Sequence, residues 1–184
     1  MAENPWKIIA KKKIYDNPWI GLTEFDVINP GGGKGIYGKV HYKNLAVGIM
    51  VLDDEKNTWL VGQYRFPTDR YSWEIPEGGC PEGSDLLLSA KRELKEETGL
   101  IADNWELILT MQLSNSVSDE IAYVYLATGL RQEVADPEET EQLHIKKIPF
   151  AEAYAMVNNG AITDSISIAA ILKIQLLIAE GKLK

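Results

Sequence analysis

Cysteine is nearly absent: among 184 residues only Cys80 carries a thiol, so no intrachain disulfide can form and no cysteine-based metal cluster can be built. Histidine is almost as scarce, and neither His41 nor His144 has the neighbours of a metal ligand or base, so both read as structural. Basic charge is in deficit, with 19 Lys+Arg against 27 Asp+Glu and a formal net charge of −8. That balance disfavours a nucleic-acid binder, because phosphate backbones are held by clustered Lys and Arg. Long hydrophobic runs are missing too. The most apolar segment, 166–179, carries Ser167, Lys173 and Gln175 and is shorter than the roughly 20 residues a bilayer span requires, so it reads as a buried helix. The first residues, MAENPWKIIAKKK, contain no apolar stretch of signal-peptide length, and Lys11 to Lys13 read as a solvated turn. A cytoplasmic protein with no membrane association is expected.

What remains is a globular composition, 45% hydrophobic and 25% charged, at a length suited to one domain with a small appendage. Residues 18–28 alternate loosely before the turn cluster Asn29-Pro30-Gly31-Gly32-Gly33, and a return strand follows over 36–42. This predicts an N-terminal antiparallel sheet over 1–42, ahead of a main domain over 43–184. Such a sheet is marginal alone and needs the main domain or a partner subunit to pack on. Apolar runs at 45–52 and 58–64 flank a polar turn and predict a hairpin. A helix is predicted over 85–98, with Ser84 as its cap and Gly99 at its end. Further strands are predicted near 105–112, 121–127 and 143–148, and helices over 150–158 and 164–179. The class is α/β, with strands covered by helices on both faces.

Chemistry concentrates on the helix at 85–98. Glu93, Glu96 and Glu97 stand at i, i+3 and i+4 and share nearly one face, where like charges repel. Just upstream, Trp73-Glu74-Ile75-Pro76-Glu77-Gly78-Gly79 forms a loop whose glycines let backbone approach a ligand closely. Between Glu74 and Glu106 there are nine acids and three bases, so most of the chain's negative charge sits here. Hard oxygen donors at that density suit Mg²⁺ or Mn²⁺, and Mg²⁺ commonly bridges carboxylates to substrate phosphates. The inferred chemistry is metal-assisted attack of water on a phosphate ester or anhydride.

Residues 78–100 resemble the Nudix box, G-x5-E-x7-R-E-U-x-E-E-x-G-U with U apolar. The run Arg92-Glu93-Leu94-Lys95-Glu96-Glu97-Thr98-Gly99-Leu100 fits the second half throughout, and Gly78 supplies the first glycine. The departure is Ser84, where the pattern has a glutamate that helps anchor loop to helix through Arg92; Glu82 is near enough in sequence to substitute partly. Gln63-Tyr64-Arg65-Phe66-Pro67, the 71–79 stretch, Ser118-Asp119-Glu120 and Ile162-Thr163-Asp164-Ser165 extend the resemblance to the branch that hydrolyses ADP-ribose and other nucleoside diphosphate sugars.

The resemblance implies a Nudix α/β/α sandwich with a mixed sheet, Mg²⁺ or Mn²⁺ as cofactor, a nucleoside diphosphate sugar as substrate and a homodimer. It also implies the site. Glu93, Glu96, Glu97 and the Glu77 carbonyl would hold metal, and Arg92 would position Glu93. In the acidic loop 136–141, Glu139 falls at the position of the base and Glu141 at a further metal position, whereas Glu138 reads as surface. Arg65, Glu74 and Trp19 are assigned to the substrate, with a surface ion pair the alternative for Arg65 and sheet packing the alternative for Trp19, Tyr37 and Tyr42. Cys80 has no base nearby and no nucleophilic role. Two competing readings are a non-catalytic nucleotide-sugar sensor whose box decayed at Ser84, and a hydrolase of capped or triphosphorylated RNA. Retention of the three helix glutamates argues against the first, and the charge of −8 against the second.

Overall fold

A computed structural model describes residues 3–134 and 142–183. The chain begins with a three-stranded antiparallel sheet in the order β1-β2-β3, made of β1 (Lys7–Asp16), β2 (Ile20–Ile28) and β3 (Lys34–Tyr42). The expected β2–β3 hairpin forms with Ile20 opposite Tyr42 and Ile28 opposite Lys34. Asn29 closes its turn by accepting the Gly33 N–H on Oδ1 at 3.0 Å. β1 is a correction. Lys11 to Lys13 lie inside a ten-residue strand paired to β2, not in a turn. Every residue of β1 is exposed, so no buried face imposes the period-2 pattern by which a strand is recognised.

The main sheet has the order β7-β4-β9-β8, with β4 (Asn44–Val51) between β7 (Glu77–Pro81), antiparallel, and β9 (Ile121–Gln132), parallel, and with β8 (Leu100–Gln112) at the edge. β5 (Asn57–Arg65) belongs to another sheet, between β10 (His144–Pro149) and β6 (Arg70–Glu74). The predicted 45–52/58–64 hairpin is therefore corrected. Asp53 N still donates to Asn57 O at 3.1 Å to close the turn, but the strands part into different sheets. The reason is burial on both faces of β4, which takes a ladder partner at each edge and leaves none for β5.

Helices cover the main sheet from both sides, as the α/β/α reading requires. Val47, Ile49 and Val51 pack with Ala90 and Leu94 of α1 (Leu86–Thr98). Met50, Val124 and Leu126 pack with Ala153 of α2 (Phe150–Asn158) and with Ile171 and Ile174 of α3 (Ser165–Ala179). Each buried Val, Leu, Ile or Met side chain of these layers contributes roughly 1.5–3 kcal/mol. α1 ends at Gly99, whose φ of 71° is left-handed and whose N–H bonds Lys95 O. Its cap is Asp85, accepting from Leu88 N at 2.9 Å, and not Ser84, whose own N–H is turned back to Pro81 O. Among the described residues no helix is long and apolar enough to cross a membrane.

Candidate active site

The site grows from two contacts between α1 and the first residues of β7. Glu93 Oε1 accepts from Gly79 N, and Glu97 Oε2 accepts from Glu77 N, both at 3.1 Å. Helical spacing places these two carboxylates one turn apart on the face that meets the loop. A Cβ added at Gly78 would lie 2.1 Å from the Glu93 carboxylate carbon, so glycine is what allows the acid to reach the backbone. Arg92 braces the arrangement from outside, donating from Nη2 to Gly79 O at 3.1 Å and to Glu93 Oε1 at 2.5 Å, and from Nη1 to Glu96 Oε2. The anchoring expected of a box glutamate at position 84 is thus supplied by Glu93, Glu96 and a carbonyl. Glu82 is exposed and makes no contact with Arg92, which corrects the expectation that it substitutes for the missing acid.

A second group of charges lies at the end of β5 and the start of β7. Arg65 donates from Nε to Glu74 Oε1 at 3.0 Å, and from Nη2 to Glu74 Oε2 at 2.5 Å and Glu77 Oε1 at 2.7 Å. Its guanidinium, expected either at the substrate phosphates or in an ion pair, pairs with two carboxylates while its side chain stays 37% exposed toward the cleft. Glu74 lies 2% exposed beneath it, and Gln63 Nε2 donates to Glu74 Oε2 at 3.4 Å. Asp164 caps α3 by accepting from Ser167 N at 2.7 Å, and one oxygen each of Glu74, Glu77 and Asp164 lies within 4.8 Å of the others. Ser167 ties α3 to this corner by accepting the Ile75 N–H on Oγ at 2.9 Å.

Burial and the charges of Asp164 and Glu74 push the Glu77 carboxyl well above the usual range, against the pull of Arg65. Burial also works against the Arg65 cation, but Glu74 and Glu77 outweigh it and hold the guanidinium more firmly charged than usual. Glu77 Oε2 is buried without a hydrogen-bond partner. The Glu93 and Glu97 carboxylates set against the backbone of Gly79 and Glu77, with the orphaned Glu77 Oε2 and the converging acids Glu74 and Asp164 beside them, supply hard oxygen donors that suit a divalent cation.

A cavity of about 480 Å³ opens over the loop, lined by Trp19, Tyr42, Gln63, Glu77, Gly78 and Glu120 among others. Trp19 is 68% exposed and available to a ligand. Tyr37 goes elsewhere, donating its hydroxyl to Ser116 O at 2.5 Å and packing edge-on against Trp6. His41 pairs with Asp119 and His144 with the Tyr71 hydroxyl, each a structural contact. Cys80 is buried. Glu138, Glu139 and Glu141 lie outside the described residues. Two further acids that local spacing does not single out, Asp164 and Glu120, also line this cavity. They stand in the stretches Ser118-Asp119-Glu120 and Ile162-Thr163-Asp164-Ser165, and burial raises the carboxyl pKa of Glu120.

Residues 42–166 match the NUDIX domain. The chain belongs to the Nudix hydrolase family. It is 37% identical over 178 residues to an ADP-ribose pyrophosphatase of Mycobacterium tuberculosis, covering 95% of this chain and 85% of that one. An ADP-ribose pyrophosphatase of Bacillus subtilis is 31% identical and the methanol dehydrogenase activator of Bacillus methanolicus 30%, each with 92% of both chains covered. The crystal structure of an ADP compounds hydrolase superposes with a TM-score of 0.86 over the whole of both chains at 19% identity, and so shares the fold.

Proposed function

We propose that this Nudix hydrolase cleaves the pyrophosphate bond of a nucleoside diphosphate sugar, ADP-ribose in the first instance and a hexose nucleotide such as GDP-mannose as the alternative, giving a nucleoside monophosphate and a sugar phosphate. The observation that carries this reading is the double clasp of Glu93 and Glu97 on the 77–79 loop, at the floor of a cavity walled by exposed Trp19. The kinship to ADP-ribose pyrophosphatases along nearly the whole chain supports the choice of substrate.

In this reading Glu93, Glu97, the Glu77 carbonyl, Glu96 and Glu141 hold Mg²⁺, with Mn²⁺ as a substitute. When bound, the metal neutralises charge on the diphosphate and lowers the pKa of a water. Arg92 fixes the rotamer of Glu93, and the amides of Glu77 and Gly79 fix the two helix carboxylates. Trp19 stacks the base, Glu74 holds Arg65 in place, and Arg65 faces the diphosphate. Glu139 takes a proton from the attacking water as its oxygen bonds one phosphorus and the bond from that phosphorus to the bridging oxygen breaks. An acidic chain with a lone buried thiol suits a cytosolic setting with no nucleic-acid partner. Ile8, Ile9, Ile14, Tyr15 and Ile36 on the N-terminal sheet are exposed and suit a homodimer interface.

The test is turnover by purified protein of ADP-ribose, GDP-mannose, ADP-glucose, UDP-glucose and nucleoside triphosphates in Mg²⁺, with products resolved by chromatography. ADP-ribose is expected to yield AMP and ribose 5-phosphate, and EDTA to stop the reaction. Absence of cleavage of every diphosphate sugar, in Mg²⁺ and in Mn²⁺, would overturn the reading.

A further inference from the structure

The cleft has a second lobe beyond the Trp19 cavity. It is a cavity of about 690 Å³ that shares Arg65, Glu77 and Asp164 with the first and is otherwise lined by residues of the 67–72 hairpin, by Glu74, whose carboxylate is taken up by Arg65, and by Thr163 and Ser165. The shared residues form a pinch between the two lobes. In the β5–β6 ladder Arg65 stands directly opposite Arg70, and Gln63 opposite Ser72. Directly opposed residues of an antiparallel pair project from the same face, so two guanidinium side chains spring side by side from the face that carries Glu74. Like charges in that position are destabilising. Arg65 is compensated by Glu74 and Glu77, whereas Arg70 is exposed and its side chain makes no ion pair or hydrogen bond among the described residues. An exposed guanidinium without a direct partner thus borders the lobe, beside the hydroxyls of Thr68, Ser72, Thr163 and Ser165.

We propose that Arg70 is a specificity-determining residue that binds the phosphate on the non-nucleoside side of the substrate, with the hydroxyl-lined lobe around it receiving the sugar of that half. The inference rests on the proposed function for the identity of the substrate. It adds a direction to the cleft: base against Trp19, nucleoside-side phosphate at the Arg65–Glu77–Asp164 pinch, and sugar-side phosphate with its sugar toward Arg70. A guanidinium suits this task because it pairs with phosphate oxygens through two parallel N–H donors, while an ammonium keeps only the charge.

Calorimetric titration of α,β-methylene ADP-ribose, which cannot be cleaved, in Mg²⁺ tests it alongside steady-state kinetics on ADP-ribose. Arg70→Ala is expected to weaken the analogue about tenfold and raise KM similarly with kcat within about twofold. Arg70→Lys should recover part of the loss, and the affinity for AMP, which lacks the distal half, should be equal in all three proteins. Because the exposed Arg70 side chain makes no ion pair or hydrogen bond among the described residues, Arg70→Ala should keep the parent's melting midpoint, so a lower affinity cannot come from unfolding. Equal affinity for the analogue in parent and Arg70→Ala would overturn the assignment while leaving the hydrolase reading intact. Should the parent neither cleave ADP-ribose nor bind the analogue, the substrate reading falls and inorganic pyrophosphate becomes the probe. Arg70-dependent binding of pyrophosphate then sustains the anion lobe, and its absence overturns it.

Discussion

Glu97 is 2% exposed, accepts the amide of Glu77 and sits one turn from Glu93, whose carboxylate meets the next stretch of the same loop. A buried carboxylate whose charge repels that of Glu77 is costly to keep ionised in the free protein. Glu97→Gln keeps an oxygen for the Glu77 amide and removes the charge. Turnover is expected to fall about 100-fold or more while the melting midpoint in EDTA holds or rises, and the stabilisation by added Mg²⁺ shrinks. Near-parental turnover would remove Glu97 from the metal-holding set. Arg92 and Ser84 illustrate how a departure from a pattern is absorbed locally. The guanidinium reaches Gly79 O, Glu93 and Glu96, so the loop and helix stay joined without an acid at position 84. The partners of Arg65 were not legible, because Glu74 and Glu77 reach it from across a strand pair and a bend that no local spacing encodes.

At the scale of elements, the loop and helix from Glu77 to Gly99 behave as one device. The helix starts at a side-chain cap, ends at a left-handed glycine, and offers its acids to backbone amides of the strand before it. Its start separates the two cap candidates. Asp85→Ala should lower stability by about 1 kcal/mol in urea denaturation, and Ser84→Ala by much less, because only the Asp85 side chain satisfies a first-turn amide. Equal losses would restore Ser84 as a capping residue. The existence, bounds and acidic face of this helix were legible because periodicity, glycine and cap residues are all local. The separation of β4 from β5 was not, since both sequences are strand-like and the turn between them closes normally. Which strand each pairs with is set by the burial of β4 on both faces and by the arrival of β7 and β9 at its edges.

For the whole molecule, the N-terminal sheet is the part whose surface is least accounted for. β1 is exposed along its full length, and Ile8, Ile9, Tyr15 and Ile36 are more than half exposed. A homodimer covering this sheet is expected to show twice the chain mass in light scattering, and Ile36→Glu to shift the mass toward one chain without lowering the melting midpoint of the main domain. A single-chain mass for the parent protein would end the dimer proposal. The sequence by itself determined the class of fold, the acidic helix with its glycine-bounded loop, and the family, because each depends on residues a few positions apart whose spacing the helix period and turn chemistry constrain. Tertiary structure alone decided that Arg65 is locked between Glu74 and Glu77, that Asp164 joins them from the start of α3, that Trp19 overlooks the loop, and that Arg70 faces Arg65 across a ladder. Those meetings join segments tens of residues apart. They are fixed only when burial of both faces of β4 assigns every strand its partners, and that is a property of the assembled core rather than of any local run.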